Sequence, residues 1–125
     1  MAGDYYHRLY ANPDKVRYLK DVFGQIEAYQ RRSGIPVIMP IFPLIYDYNN
    51  YKWEDINETI VSLCRTHDIR YISLLEEFRK NNYNEMRVQR GDFTHPSIRG
   101  NAVAAEAIAK LLNESELISP TIASH

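Results

Sequence analysis

The run Ile35-Pro36-Val37-Ile38-Met39-Pro40-Ile41-Phe42-Pro43 constrains the fold more than any other stretch of this chain. It is nearly continuous in apolar residues, too short for a helix, and bounded by Ser33-Gly34 and by proline. Such a run reads as a strand buried on both faces, as in a sheet of parallel strands covered by helices. Pro40 removes a ladder donor, so the strand is expected to end or bulge there.

The flanking segments have helical spacing. Asn12-Pro13-Asp14 opens a helix, with Asn12 as cap and Pro13 at the first helical position. Val16, Leu19, Phe23, Ile26 and, one turn on, Tyr29 give it one apolar face, and Gly34 suits a left-handed stop. After a polar, aromatic loop over residues 46–52, a second helix spans about 53–67, with Ile56, Ile60, Leu63, Cys64 and His67 on one side. Residues 68–74 read as a second short strand and 75–80 as a short helix, with 81–91 irregular. A last helix starts near Ser97, its cap, and packs through Val103, Ala107, Ile108, Leu111 and Leu112. Helix, strand, helix, strand, helix is the order of an α/β layer with parallel strands. Two strands fall short of the roughly four to six of a usual sheet. Residues 1–113 read as part of one domain and 114–125 as a polar tail.

The chemistry concentrates in Gly91-Asp92-Phe93-Thr94-His95-Pro96-Ser97. A neutral histidine can take a proton from a hydroxyl nucleophile only if its tautomer and ring orientation are fixed, and a carboxylate on the same loop can fix them. Asp92 and His95 therefore read as orienter and general base of a hydrolytic triad. The same residues also allow a plainer account, in which Asp92 caps a turn and His95 is an ordinary loop residue.

Composition narrows the classes. Fifteen basic and sixteen acidic residues leave a net charge of -1, which gives no electrostatic case for nucleic acid or an anionic membrane. Cys64 is the single cysteine, so neither an internal disulfide nor a multi-cysteine zinc site is expected, and its helical position reads as a buried thiol. No apolar segment is long enough to span a bilayer, and the N-terminus lacks the apolar core of a signal peptide. The chain reads as soluble, with its compartment open.

From about residue 6 to residue 112 the chain resembles the C-terminal part of an SGNH (GDSL-type) hydrolase. The resemblance rests on the helix ending Arg31-Arg32-Ser33-Gly34, the strand run from Ile35, the Tyr-rich loop, and the second strand Tyr71-Ile72-Ser73-Leu74-Leu75. It is completed by Asp92-Phe93-Thr94-His95-Pro96, with Gly100 four residues later. It implies a flavodoxin-like three-layer α/β/α sandwich with parallel strands, ester hydrolysis or acyl transfer on an acyl-ester substrate, and no metal or organic cofactor. It also implies that Asp92 and His95 are catalytic.

The family's Gly-Asp-Ser nucleophile block is not in these 125 residues: Gly3-Asp4-Tyr5 and Gly91-Asp92-Phe93 are the only Gly-Asp pairs. At the family's Gly-x-Asn-Asp block only Asp4 matches, with Gly3 in place of the asparagine. Relative to the family the chain reads as N-terminally truncated. Of the local serines, Ser33, Ser62, Ser73, Ser97, Ser115, Ser119 and Ser124, none is taken as the nucleophile: Ser97 is accounted for as a helix cap, Ser33 and Ser62 lie on or just after helices, and nothing flanking Ser73 suggests a strained nucleophile turn. Two readings follow. The chain supplies the Asp-His pair of a serine esterase, or it is a non-catalytic truncated module or half of a split protein that self-associates or pairs through an exposed sheet edge.

Overall fold

The computed structural model describes residues 2–115 and shows a mixed helix and strand fold with one two-stranded parallel sheet. In chain order the elements are α1 (Ala2–Ala11), α2 (Pro13–Ser33), β1 (Ile38–Ile41), a 3-10 turn (Tyr48–Asn50), α3 (Glu54–Thr66), β2 (Arg70–Ser73), α4 (Leu75–Arg79), α5 (Tyr83–Met86) and α6 (Ile98–Glu114). None of the helices described is long and apolar enough to cross a membrane.

The local signals act as chemistry requires. Asn12 Oδ1 accepts from the Asp14 and Lys15 N–H groups, and Pro13 occupies the first turn of α2, where its missing donor is no loss. Gly34 ends α2 at φ 70, its N–H returned to Gln30 O at 2.9 Å. The apolar run is strand only over Ile38–Ile41, shorter than its sequence suggests. Its ends are open, with Ile35 and Phe42 about half exposed, and within β1 only Ile41 is buried, so the expectation of a strand buried on both faces fails. Pro40 lies inside β1 rather than ending it. A sheet of two strands has only edge strands, and an edge tolerates a residue without an N–H.

The described residues group into two compact units. The first holds the chain up to Ile41 together with Asn50–Tyr71, and the second holds Phe42–Asn49 with the chain from Ile72 onward.

In the first unit, Phe23, Ile41, Val61, Leu63, Cys64 and Ile69 form the buried core, with Leu19, Ile26, Met39, Ile60 and Tyr71 packed against it. The apolar face expected for α2 is thus the packed one, although Tyr29 at its far end stays exposed. Cys64 is fully buried, its Sγ 3.6 Å from Met39 Sδ. The helix α1 has no strong signal in its sequence. It is held by tertiary contacts, the Tyr6 ring edge-on to Trp53 and His7 Nε2 3.1 Å from Asp55 Oδ1.

In the second unit, Ile45, Leu74, Leu75, Phe78 and Met86 are almost completely buried. The short helix α5 lies in a segment that reads as irregular. Asn82 caps it by accepting from the Asn84 N–H at 2.9 Å, and buried Met86 anchors its end. The face of α6 differs in detail from its apolar spacing. Val103, Ala107, Ile108, Leu111 and Leu112 are only half-buried, whereas Gly100 and Ala104 are buried, because small residues let the helix approach its neighbours closely.

Candidate functional site

Residues 87–96 form a closed hairpin in the second unit. Arg87 and Pro96 make an antiparallel bridge, bracketed by hydrogen bonds from Ser97 N–H to Met86 O (2.8 Å) and from Val88 N–H to His95 O (3.0 Å). At the tip, Asp92 N–H donates to Gln89 O at 3.1 Å and Gly91 has φ 85. That is the pattern of a type II turn, whose third residue must tolerate positive φ. A side chain at position 91 would be strained, which accounts for the glycine directly before Asp92.

The turn delivers Asp92 onto the backbone that follows it. Asp92 Oδ1 accepts from Thr94 N–H and from His95 N–H, both at 3.0 Å, and lies 3.4 Å from the Thr94 hydroxyl. Asp92 Oδ2 lies 2.9 Å from His95 Nδ1. Backbone donation from Thr94, then from His95, followed by the His95 ring, holds the Asp92 carboxyl down at about 2. It is therefore ionised throughout the neutral range. An ionised carboxylate only accepts, so the neutral imidazole carries its hydrogen on Nδ1 and leaves the Nε2 lone pair free. The Asp92 side chain is mostly covered at 16% exposure, while that of His95 is 74% exposed. Nε2 has no hydrogen-bond partner among the described residues and opens to solvent.

The loop is tied to the segment that follows β1. Ile45 N–H donates to Phe93 O at 2.8 Å, and the Tyr46 and Phe93 rings lie 5.4 Å apart. The segment after the first strand and the histidine loop thus meet within this unit, through Ile45, Tyr46 and Phe93. On its other side the loop runs into α6, where Ser97 Oγ accepts from Gly100 N–H at 3.1 Å and donates to Glu85 O.

The two residues singled out by sequence are therefore within hydrogen-bond reach of each other. The turn-capping account of Asp92 holds at the same time, since one carboxylate oxygen braces the loop while the other meets the ring. Thr94, Ile45 and the cross-strand pair Val88 and His95 were missed. The signal for the hairpin was Gly91 in Gln89-Arg90-Gly91-Asp92, a turn quartet with glycine third.

Among the described residues of this unit, no serine hydroxyl hydrogen-bonds the His95 ring. Ser97 is committed to its cap, Ser73 lies in β2, and Ser115 ends α6. In the first unit, Ser33 Oγ donates to Tyr29 O and accepts from Ile35 N–H, and Ser62 is exposed on α3. Ser119, Ser124 and the tail beyond residue 115 lie outside the described residues. Among the described residues no group of three or more His, Cys, Asp or Glu side chains could hold a metal ion.

A second histidine-carboxylate pair occurs in the first unit. His67 Nδ1 lies 2.8 Å from Glu27 Oε1, both side chains about four-fifths covered, with Arg31 on the other carboxylate oxygen at 2.7 Å. The His67 hydrogen bond and then the Arg31 charge hold the Glu27 carboxyl below its usual range, against an opposing effect of burial. Spanned between two helices and mostly enclosed, this pair reads as a packing clamp. No family model, curated protein or solved structure matches the chain.

Proposed function

We propose that Asp92 and His95 are the orienter and general base of an SGNH (GDSL-type) centre for hydrolysis or transfer of acyl esters, within a flavodoxin-like three-layer α/β/α sandwich. One observation carries the reading: a carboxylate braced by two backbone donors holds Nδ1 of an exposed imidazole at 2.9 Å, leaving Nε2 open. That is the arrangement a general base needs, with tautomer fixed, ring oriented and the lone pair presented. The parallel pairing of β1 with β2 supports the sandwich. In the reaction, a serine oxygen attacks the ester carbonyl while Nε2 takes its proton. The imidazolium, stabilised by Asp92, then returns that proton to the leaving alcohol. No Gly-Asp-Ser block occurs in the 125 residues, so this reading takes the attacking oxygen from outside them.

The base can be tested without that serine. Ethyl dichloroacetate has an activated carbonyl but an alkoxide too poor for imidazole to displace, so an imidazole acts on it only as a base for water. The full chain is expected to accelerate its hydrolysis modestly, with a normal deuterium solvent isotope effect, and His95→Ala to abolish the acceleration. Acceleration that survives His95→Ala would remove the assignment.

A second reading, a non-catalytic module or half of a split protein, is favoured by the open edges of a two-stranded sheet and by the exposed apolar side chains flanking β1. Light scattering on the purified chain separates the two: a stable monomer at high concentration counts against an edge that pairs.

A further inference from the structure

We propose that His95 is itself an acyl-accepting nucleophile, a site at which activated acyl donors such as mixed anhydrides form a covalent acyl-imidazole at Nε2. The inference rests on the Asp92-His95 pairing proposed above but assigns the ring a different act, attack rather than proton abstraction.

Three observations converge on it. The lone pair is at Nε2 because Asp92 fixes the hydrogen on Nδ1 at 2.9 Å, and 74% of the His95 side chain is exposed, so a carbonyl carbon can reach the atom. The other described histidines are differently placed. His67 presents the same Nδ1 contact at only 20% exposure, and the nitrogen of His7 that meets Asp55 is Nε2, the less hindered one. Third, the hairpin offers no competing acceptor: residues 87–96 contain neither lysine nor cysteine, and the Thr94 hydroxyl lies against Asp92 and Nδ1. Directly across from His95 stands Val88, since the Arg87 and Pro96 bridge sets 88 opposite 95. Val88 is 61% exposed and its N–H donates to His95 O, so an uncharged side chain is carried by the backbone paired with that of His95.

The step balances without a further reagent. The Nε2 lone pair attacks the acyl carbon, and the bond to the leaving oxyanion breaks with its electron pair. The ring becomes an N-acylimidazolium whose developing charge faces Asp92. Loss of the Nδ1 proton to solvent gives the neutral acyl-imidazole. Water or an alcohol then adds to the acyl carbon, the C–N bond breaks, and imidazole is restored with release of acid or ester.

Diethyl pyrocarbonate is the probe, because its carbethoxy product on imidazole is stable and can be located by peptide mass mapping. In the full chain His95 is expected to be labelled first, ahead of His7 and His67, and faster than N-acetylhistidine amide under the same conditions. Asp92→Asn is expected to slow His95 by about tenfold, the lower end of what a hydrogen bond to a charged group supplies. Labelling that reaches His7 or His67 first, a His95 rate no greater than that of the free amide, or a rate unchanged in Asp92→Asn would each overturn the proposal. The comparison among histidines uses the unmutated chain, so a misfolded variant does not decide it. Should ethyl dichloroacetate hydrolysis keep its His95 dependence while labelling fails, the nucleophile falls and the general base stands; failure of both removes the pair altogether.

Discussion

The carbonyl oxygen of Met86 occupies the space a side chain at position 100 would need: a Cβ on Gly100 would lie 2.6 Å from it and 3.1 Å from the Pro96 Cβ. The same carbonyl accepts from Ser97 N–H, so the close approach of α6 to the end of α5 also closes the neck of the histidine hairpin. Gly100→Ala should therefore cost about 2 kcal/mol or more, because the obstructing atom is backbone and cannot rotate away. Urea denaturation of the two proteins measures it. An unchanged midpoint would mean that α6 can shift without penalty.

Asp92 makes stability depend on acid. Its carboxyl titrates at about 2 in the folded chain against an ordinary 3.8. A depressed folded value adds stability that is complete above the unfolded value and lost as pH falls through the folded one. The urea midpoint of the unmutated protein should thus exceed that of Asp92→Asn at neutral pH. The gap should close as pH drops from 3.8 to about 2. A gap that stays constant across that window would show that the braced carboxylate is not formed in solution.

The chain by itself is expected to turn over p-nitrophenyl acetate only slowly, since removing even one oxyanion donor from a complete centre costs roughly 3 kcal/mol. Steady-state assays with His95→Ala as control test this. Rapid multiple turnover that disappears in His95→Ala would contradict this expectation, and acetyl found on a serine or threonine by peptide mapping of the quenched reaction would assign the attack to a hydroxyl rather than to the His95 ring.

Core and cap substitutions calibrate the fold separately from the site. Phe78 is fully buried, and Phe78→Ala should cost about 3 to 5 kcal/mol. Asn12→Ala, which removes the cap acceptor for Asp14 and Lys15, should cost about 1 kcal/mol. Chemical denaturation followed by far-ultraviolet circular dichroism reads both. A Phe78→Ala loss as small as that of Asn12→Ala would contradict the packing of the second unit.

What could be read from the chain beforehand was whatever is encoded within a few residues. Asn12-Pro13, Gly34 and Ser97 each act through their own flanking backbone, and so they mark helix ends legibly. Asp92 and His95 are three apart on one loop, close enough for their contact to be anticipated. Elements decided by distant partners were not legible. Helix α1 depends on Trp53 and Asp55, and the extent of β1 depends on what pairs with it rather than on the apolar run itself. Helix α5 was missed because four residues carry too little periodicity, although Asn82 was a cap in plain view. Val88 was invisible for a similar reason, since its place opposite His95 follows from a register that only the closed hairpin sets.

That hairpin has a consequence for which substitutions reach the ring. Its neck, its turn and the grip of Asp92 on Thr94 and His95 all come from within residues 86–97. The hold on the imidazole is thus set mainly within a segment of about a dozen residues, which Ile45 at Phe93 and Gly100 at Met86 join to the rest of the second unit. Changes inside that segment therefore act on the ring directly, and changes at Ile45 or Gly100 act on it through the loop they hold.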